Sequence, residues 1–256
     1  MIDQGASHAA MVRVTELAFN YGEKDSRVQA LRDISFAIPR GSTCAIIGPS
    51  GSGKSTLLYL LSGLLEGYSG QVLVDGDRVY RGRRETALIL QDHGLLPWKK
   101  VWDNAALGLD IRKVPENIKR EKISAILKEL GLWEMKDRYP SQLSGGQRQR
   151  VGIARALALD PDLLLMDEPF SSLDALTREA LQKQLLHIWL KDRITIMLVT
   201  HSIEEAVFLG QKIIVLSAHP GRIAKIVDNP RAGTPEYRKN QEFYQMATGL
   251  RELLEQ

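Results

Sequence analysis

A glycine-rich loop followed by a lysine and two hydroxyl residues is the segment of this sequence with the clearest chemistry. It fits the pattern G-x-x-x-x-G-K-[ST] and reads Gly48-Pro49-Ser50-Gly51-Ser52-Gly53-Lys54-Ser55-Thr56. Glycines let successive backbone N–H groups point into one concavity, where they bind phosphate oxygens together with the N-terminus of the following helix. Lys54 would reach the β and γ phosphates of a nucleotide, and the Ser55 hydroxyl would ligate Mg²⁺. A turn that binds nothing needs neither side chain, so the loop predicts a nucleotide phosphate site.

Two adjacent carboxylates, Asp167 and Glu168, end an apolar run that begins at Leu163. In an open α/β sheet, the carboxyl end of a parallel strand faces the ligand. We expect Asp167 to hold Mg²⁺ through its water shell and Glu168 to accept a proton from the attacking water. The alternative is a pair of acids that merely begins a loop before Pro169. His201 follows another apolar run and could contact the γ-phosphate, although a single histidine after a strand is more often structural.

A second helix start carries two glycines. Ser144 is placed to cap a helix that runs to about residue 159, and Gln147 completes a capping box. Those two residues alone would describe a well-capped helix. Gly145 and Gly146, however, each cost about 1 kcal/mol in a helix relative to alanine, and a cap does not require them. Their exposed N–H groups make a second anion site, which indicates that this surface serves the nucleotide of another subunit.

Hydrophobic patterns predict the elements that position these residues. Four apolar runs are nearly continuous, as in parallel strands covered on both faces: residues 44–47, 163–166, 194–199 and 213–216. Helical patterns separate most of them, including residues 55–65 and 174–191. The sequence therefore predicts an α/β core built from βαβ units.

The remaining segments have other patterns. Short alternating runs in residues 12–42 and 70–80 predict antiparallel strands beside the core. Helical periodicity between about 94 and 150 predicts an inserted helical subdomain, with one helix ending before Gly131. We expect one domain over residues 12–228, an N-terminal extension over 1–11 and a C-terminal helical tail over 229–256.

Composition excludes several classes of protein. The 256 residues carry a net charge of +3 and no dense run of Lys or Arg, which argues against a nucleic-acid partner. The single cysteine, Cys44, lies in an apolar run and is expected to be a buried, unreactive thiol in a reducing compartment. Neither a signal-peptide pattern nor a membrane span is recognisable, so we expect a soluble chain that needs another polypeptide to cross a membrane.

Together these motifs resemble those of the nucleotide-binding subunits of ABC transporters, over nearly the whole chain. The matching features, in chain order, are Tyr21 (the aromatic that stacks on adenine), residues 48–56 (Walker A), Gln91 (Q-loop), residues 143–147 (signature), residues 163–168 (Walker B), residues 172–174 (D-loop) and His201 (switch histidine). The resemblance implies a P-loop NTPase (RecA-like) α/β core with an antiparallel β subdomain and an inserted helical subdomain. It also implies ATP and Mg²⁺ as cofactors.

The resemblance further implies a division of roles. Glu168, His201 and Gln91 would act in catalysis. Gln91 would also join Ser55 and Asp167 around the metal. Two copies of the chain would meet head to tail, so that Ser144 and Gly146 act on the nucleotide of the other copy. Gly145, Gln147 and Asp174 would complete the nucleotide-binding set.

The segment after Gln91 indicates which ABC transporters are most similar. Residues 93–98 and 101–104 lie where family members receive the coupling helix of the membrane subunit, although ordinary packing of the helical insertion is the alternative. The run Leu95-Leu96-Pro97-Trp98 and residues 216–223 resemble importers of nitrate, taurine and alkanesulfonates, and their relatives that carry pyrimidine precursors of thiamine. Gly67-Tyr68, Asp92-His93 and His219 depart from the usual residues of that group.

We therefore expect a homodimer of ATPase subunits at the cytoplasmic face of the inner (plasma) membrane. It would act with transmembrane permease subunits and, indirectly, with a solute-binding protein, and would not bind nucleic acid. One alternative is the ATPase of an exporter or of a lipoprotein-release system. Another is a non-transport ABC ATPase that acts on DNA or ribosomes, but such proteins usually carry a coiled-coil insertion or two fused cassettes.

Overall fold

The computed structural model describes residues 10–22, 27–234 and 236–255, so the predicted N-terminal extension lies almost wholly outside the described residues. The strands are β1 (Ala10–Tyr21), β2 (Val28–Pro39), β3 (Thr43–Ile47), β4 (Ser69–Val74), β5 (Asp77–Arg78), β6 (Thr86–Ile89), β7 (Leu163–Asp167), β8 (Thr195–Val199), β9 (Lys212–Leu216) and β10 (Ile223–Asp228). The helices are α1 (Lys54–Leu61), α2 (Val101–Ile111), α3 (Glu116–Glu129), α4 (Gly145–Leu157), α5 (Ala175–Asp192), α6 (Ile203–Leu209) and α7 (Gln241–Leu254). Short 3₁₀ helices cover Trp133–Met135, Pro140–Gln142 and Tyr237–Lys239.

A six-stranded sheet forms the centre of the fold, in the order β10-β9-β3-β8-β7-β6. The four predicted parallel strands are confirmed as β3, β7, β8 and β9, and helices cover both faces of their apolar runs. Cys44 is fully buried in β3, and burial raises the pKa of its thiol to about 12, as expected of an unreactive side chain. Two further strands, β6 and the antiparallel edge strand β10, were not predicted, because one has four residues and the other is largely exposed.

The second sheet is antiparallel, in the order β2-β1-β4-β5, as the alternating runs predicted. Its apolar face and one face of the central sheet enclose α1, whose Leu57 and Leu58 are fully buried between them. The helix predicted over residues 55–65 ends at Leu61, because Gly63 takes up a left-handed conformation (φ 73°) that terminates it. The start of α1 is thereby held rigidly at the carboxyl edge of the central sheet.

Residues 101–157 are mainly helical, and α2 packs against both α3 and α4. The helix predicted to begin after Ser144 is α4, which ends at Leu157. Whether residues 94–150 form a subdomain of their own stays a prediction, since their buried side chains share one core with the central sheet.

The C-terminal tail folds back onto the core. The Tyr237 hydroxyl donates to Asn229 Oδ1 at 2.8 Å, and the Asn229 amide donates to the carbonyls of Val207 and Gly210 in and after α6. Helix α7 packs against α6, and its Phe243 is buried in the same core as the apolar side chains of α6. Of the helices within the described ranges, none is long and apolar enough to cross a membrane.

Candidate functional site

The glycine-rich loop joins β3 to α1 at the carboxyl edge of the central sheet. Gly53 caps α1 with φ 83°, and a Cβ atom there would lie 2.6 Å from the Leu31 side chain and 2.9 Å from the carbonyl oxygen of Ala30. Glycine is therefore required by both backbone conformation and space. The Lys54 ammonium donates to the carbonyl oxygens of Gly48 and Pro49, 2.9 Å from each, so it lies across the loop.

Burial lowers the pKa of Lys54, and the opposing charges of Glu168 and Asp167 do not fully compensate. An anion bound in the loop would relieve this desolvation, because the ammonium would gain a charged acceptor. Ser52, in the same loop, is fully buried, and its hydroxyl has no hydrogen-bond partner among the described residues. The loop is thus a cationic concavity suited to phosphate.

Asp167 at the end of β7 lies beside the start of α1. The Ser55 hydroxyl donates to Asp167 Oδ1 at 2.9 Å, and the Tyr59 hydroxyl donates to Oδ2 at 2.8 Å. The pKa of Tyr59 is raised to about 12, mainly by burial and secondly by the hydrogen bond to this carboxylate. A hydroxyl and a carboxylate held together are oxygen ligands of the kind that Mg²⁺ binds. Sequence reasoning missed Tyr59, although it lies four residues after Ser55 on the same helix.

Three predicted catalytic side chains follow three different strands, and two of them, Gln91 and His201, contact one carboxylate oxygen of the third, Glu168. His201 Nδ1 lies 3.2 Å from Glu168 Oε2, and Gln91 Nε2 donates to the same oxygen at 3.4 Å. The backbone of Glu168 has φ 45°, a left-handed conformation that is costly for glutamate, and its N–H donates to the carbonyl of Val199 at 3.0 Å. Its carboxylate is thereby turned toward the front of the glycine-rich loop.

A cavity of about 360 Å³ runs from Tyr21 across the loop to Glu168. It is lined by Tyr21, Val28, Ala30, Ser50, Gly51, Gly53, Lys54, Ser55, Thr56, Glu168 and His219. Tyr21 is held by a 3.0 Å hydrogen bond between its hydroxyl and Thr56 Oγ1, and its ring remains partly exposed. The cavity therefore joins an aromatic surface to the cationic loop and to the carboxylate of Glu168.

His219 is a lining residue that sequence reasoning did not place in the site. A Cβ atom on Gly51 would lie 3.2 Å from its Nε2 atom, so the imidazole borders the loop. The segment that carries it is fastened to β2 by the N–H of Gly221, which donates to Ala30, and by the N–H of Arg32, which donates to Gly221. The position of His219 just after β9, at the ligand edge of a parallel sheet, was the available signal.

The helix start at Ser144 has the predicted capping box. The Ser144 hydroxyl accepts from the N–H of Gln147 at 3.3 Å, and Gln147 Oε1 accepts from the N–H of Ser144 at 2.9 Å. Packing also explains why residue 146 is a glycine, which the sequence did not reveal. A Cβ atom there would lie 2.4 Å from the Thr177 side chain on α5. A Cβ atom on Gly145, by contrast, would make only ordinary van der Waals contacts.

Asp174 caps α5 next to that helix start. Its carboxylate accepts from the N–H of Thr177 at 3.0 Å, and this backbone hydrogen bond lowers the pKa of Asp174. Neither Asp174 nor residues 144–147 are among the described residues that line the cavity. Within one chain, the structure thus separates the predicted nucleotide-binding residues into two surfaces.

Comparison with known proteins gives a consistent picture. A family profile described as "ABC transporter" matches residues 31–171. The aliphatic sulfonates import ATP-binding protein SsuB of Bacillus thuringiensis is 38% identical over 93% of this chain and 93% of its own length. The taurine import ATP-binding protein TauB of Escherichia coli is 43% identical over 83% of this chain and 82% of its own.

The fold comparison includes the dimeric structure of an ATP-binding cassette in a post-hydrolysis state with ADP and Pi bound. That chain superimposes with a TM-score of 0.76 at 30% identity, covering 87% of this chain and 100% of the other. The two-sheet and helical architecture described above is therefore that of an ATP-binding cassette.

Proposed function

The chain belongs to the ABC transporter family, and from this premise we propose that it binds and hydrolyses ATP to energise the import of a small solute. The observation that carries the proposal is that Lys54, Ser55 and Glu168 line one cavity, with Asp167 hydrogen-bonded to Ser55 beside it. Transfer of a phosphoryl group to water requires a cation, oxygen ligands for a metal ion and a proton acceptor, which Lys54, the Ser55–Asp167 pair and Glu168 would supply.

ATP binding uses the full length of the cavity. The exposed ring of Tyr21 takes the adenine by stacking, and residues 48–56 hold the phosphates through backbone N–H groups and Lys54. Because Lys54 already points across the loop, exchange of its two carbonyl acceptors for phosphate oxygens needs little movement.

Mg²⁺ would be held beside these phosphates by Ser55 and, through its water shell, by Asp167, and Gln91, whose amide contacts Glu168, would be a further ligand. When bound there, the ion would supply positive charge to neutralise and orient the phosphates. Tyr59 holds the carboxylate of Asp167 in place through its 2.8 Å hydrogen bond.

Glu168 accepts the proton of the attacking water, and its orientation depends on two neighbours. Gln91 and His201 both approach Oε2, which leaves Oε1 free of the contacts described here and able to receive that proton. The exposed imidazole of His201 can also contact the γ-phosphate. Contacts at Oε2 thus orient the carboxylate, and Oε1 accepts the proton.

A second copy of the chain completes each site. Residues 144–147 and Asp174 lie outside the cavity of their own chain, yet the N-terminus of α4 is the end of a helix that suits an anion. A head-to-tail dimer would place them against the nucleotide of the partner copy. The dimeric cassette with ADP and Pi supports this arrangement by analogy.

The loop before α2 is the proposed contact with a permease subunit. Buried Asn104 fixes this loop, since its side chain accepts from the N–H of Leu96 and donates to the carbonyls of Leu96, Lys99 and Lys100. The Trp98 ring is nevertheless 71% exposed. A rigid loop that presents an exposed aromatic suits a protein interface at the cytoplasmic face of a membrane.

The names of the relatives favour import over the exporter alternative, and they favour taurine or an aliphatic sulfonate as the solute. The proposed domain spans residues 12–228, with a helical subdomain at about 94–150 and a C-terminal tail over 229–256. A solute-binding protein would act through the permease rather than on this chain directly.

Dimer formation tests the shared site. The Glu168→Gln chain should form a dimer in ATP and remain monomeric in ADP, as measured by light scattering. Adding Ser144→Arg should abolish the dimer while leaving the nucleotide affinity of the monomer unchanged. Loss of monomer affinity in Ser144→Arg would instead place Ser144 in the site of its own chain.

Uptake by whole cells tests the direction and the solute. Deletion of the gene in its own host should abolish uptake of radiolabelled taurine or alkanesulfonates, and the wild-type gene should restore it. Glu168→Gln should fail to restore uptake although the protein is made. Unchanged sulfonate uptake in the deletion strain would refute the solute assignment.

A further inference from the structure

Glu205 is a buried carboxylate outside the nucleotide cavity, and both of its oxygens are engaged. Oε2 accepts from the Thr200 hydroxyl at 2.5 Å, and Oε1 lies 3.6 Å from Nε of Arg178. Its side chain is 7% exposed. Burial raises the pKa of Glu205, against the Thr200 hydrogen bond and the Arg178 charge, so this carboxylate is costly to keep. An ion pair between a buried carboxylate and a partly exposed arginine often adds little stability, which calls for another explanation of this one.

On one side, the contacts of Glu205 lead to the backbone that carries His201. The Thr200 hydroxyl accepts from the N–H of Ser202 at 3.0 Å, and the Ser202 hydroxyl accepts from the N–H of Glu205 at 3.3 Å. The residues before and after His201 are therefore both tied to Glu205. His201 itself is 62% exposed in its side chain, so its position depends on this backbone.

On the other side, the contacts lead to the segment between Glu168 and Asp174. Arg178 donates through Nη2 to the carbonyl of Leu173 at 2.7 Å and through Nε to that of Phe170 at 3.4 Å. Arg178 thus holds the loop whose last residue, Asp174, caps α5. That loop begins where the Ser171 hydroxyl donates to the carbonyl of Glu168 at 3.1 Å.

We propose that Glu205 is a positioning residue for hydrolysis, which links residues 170–174, through Arg178, to the backbone that carries His201. The inference rests on the proposed function, in which Asp174 faces the partner copy. Contact of the partner with Asp174 is then transmitted to the His201–Glu168 pair through one buried carboxylate. Closure of the dimer and alignment of the proton acceptor become a single event.

Steady-state kinetics of the full chain tests the proposal. Glu205→Gln should lower kcat for ATP hydrolysis about tenfold and leave ATP affinity unchanged, since the link does not touch the nucleotide. Glu242→Gln is the control, an exposed carboxylate on α7 that pairs with Arg231 outside this link, and should keep wild-type kcat. A wild-type kcat in Glu205→Gln, or a loss confined to thermal stability, would overturn the proposal.

A double-mutant comparison asks whether Glu205 acts through His201. In a His201→Ala background, Glu205→Gln should produce no further fall in the remaining turnover. The same fold-change in both backgrounds would show that Glu205 acts independently, which contradicts the proposal.

Thr200 provides a second route if Glu205→Gln does not fold. Thr200→Ser keeps the hydroxyl and should keep kcat, whereas Thr200→Val removes it at similar volume and should lower kcat with unchanged ATP affinity. Equal kcat in these two variants would overturn the link. A wild-type chain without ATPase activity would instead refute the proposed function, so the two failures are distinguishable.

Discussion

His201 Nδ1 lies 3.2 Å from Glu168 Oε2, although 33 residues separate them along the chain. Each follows a different strand of the central sheet, and the two strands, β7 and β8, are hydrogen-bonded neighbours. The contact therefore depends on strand order rather than on local sequence. It places an imidazole against a carboxylate that lines a cavity whose other end is aromatic.

The first prediction concerns the proton acceptor. Glu168→Gln should lower kcat about 10²- to 10⁴-fold, because the amide cannot accept a proton from water. ATP affinity should persist, since the amide is nearly isosteric and the loop at Lys54 is untouched. Phosphate release reports kcat, and fluorescence of a labelled ATP analogue reports affinity. Glu179→Gln, an exposed carboxylate on α5, is the control, and a near-normal kcat in Glu168→Gln would remove the assignment.

The second prediction concerns His219, which lines the cavity beside Gly51. His219→Ala should weaken ATP binding about 2- to 10-fold, the range expected for loss of one hydrogen bond to the ligand. Equilibrium dialysis with labelled ATP measures the change. His187→Ala on α5 removes an imidazole that does not line the cavity, and should leave the affinity as it is. Equal affinities in the two variants would exclude His219 from the site.

The third prediction concerns Trp98. Trp98→Ala should reduce co-purification of membrane subunits, since truncation of an interface Trp can cost more than about 1 kcal/mol of binding free energy. ATP affinity of the isolated chain should not change, because Trp98 does not line the cavity. Tyr244→Ala removes another exposed aromatic, on α7, and serves as the control. Normal recovery of the complex from Trp98→Ala would disprove this contact.

The fourth prediction concerns pH and His93. The pKa of His93 is lowered below its ordinary value of 6.5, mainly by burial and secondly by the charge of Arg148. Its Nδ1 atom has no hydrogen-bond partner in the described part of the chain. Between the lowered folded-state pKa and 6.5, the unfolded chain binds a proton that the folded chain does not. The free energy of unfolding should therefore fall as pH falls through this range.

Urea unfolding at several pH values measures the effect. His93→Asn should have a shallower dependence on pH, and asparagine tolerates the left-handed backbone of this position (φ 65°). Parallel curves for wild type and variant would rule out His93 as the source.

Sequence alone determined the features that depend on near neighbours. The phosphate loop, the capping box of Ser144 and Gln147, and the four parallel strands are all short-range patterns, since glycine conformation, i to i+3 hydrogen bonds and continuous apolar runs are properties of a few consecutive residues. The motif order then identified the family. Short-range patterns define the ends of helices less sharply, and the ends of α1 and α4 were predicted only to within a few residues.

Only the tertiary structure decided which distant side chains meet. Tyr59 reaches Asp167 across 108 residues, and His219 borders a loop near residue 51, because strand order brings their backbones together. Gly146 illustrates the limit most clearly: the sequence predicts a binding role for it, and only the structure shows that Thr177 also leaves no room for a side chain. Packing of this kind has no periodicity along the chain, and close approach between elements therefore had to be observed.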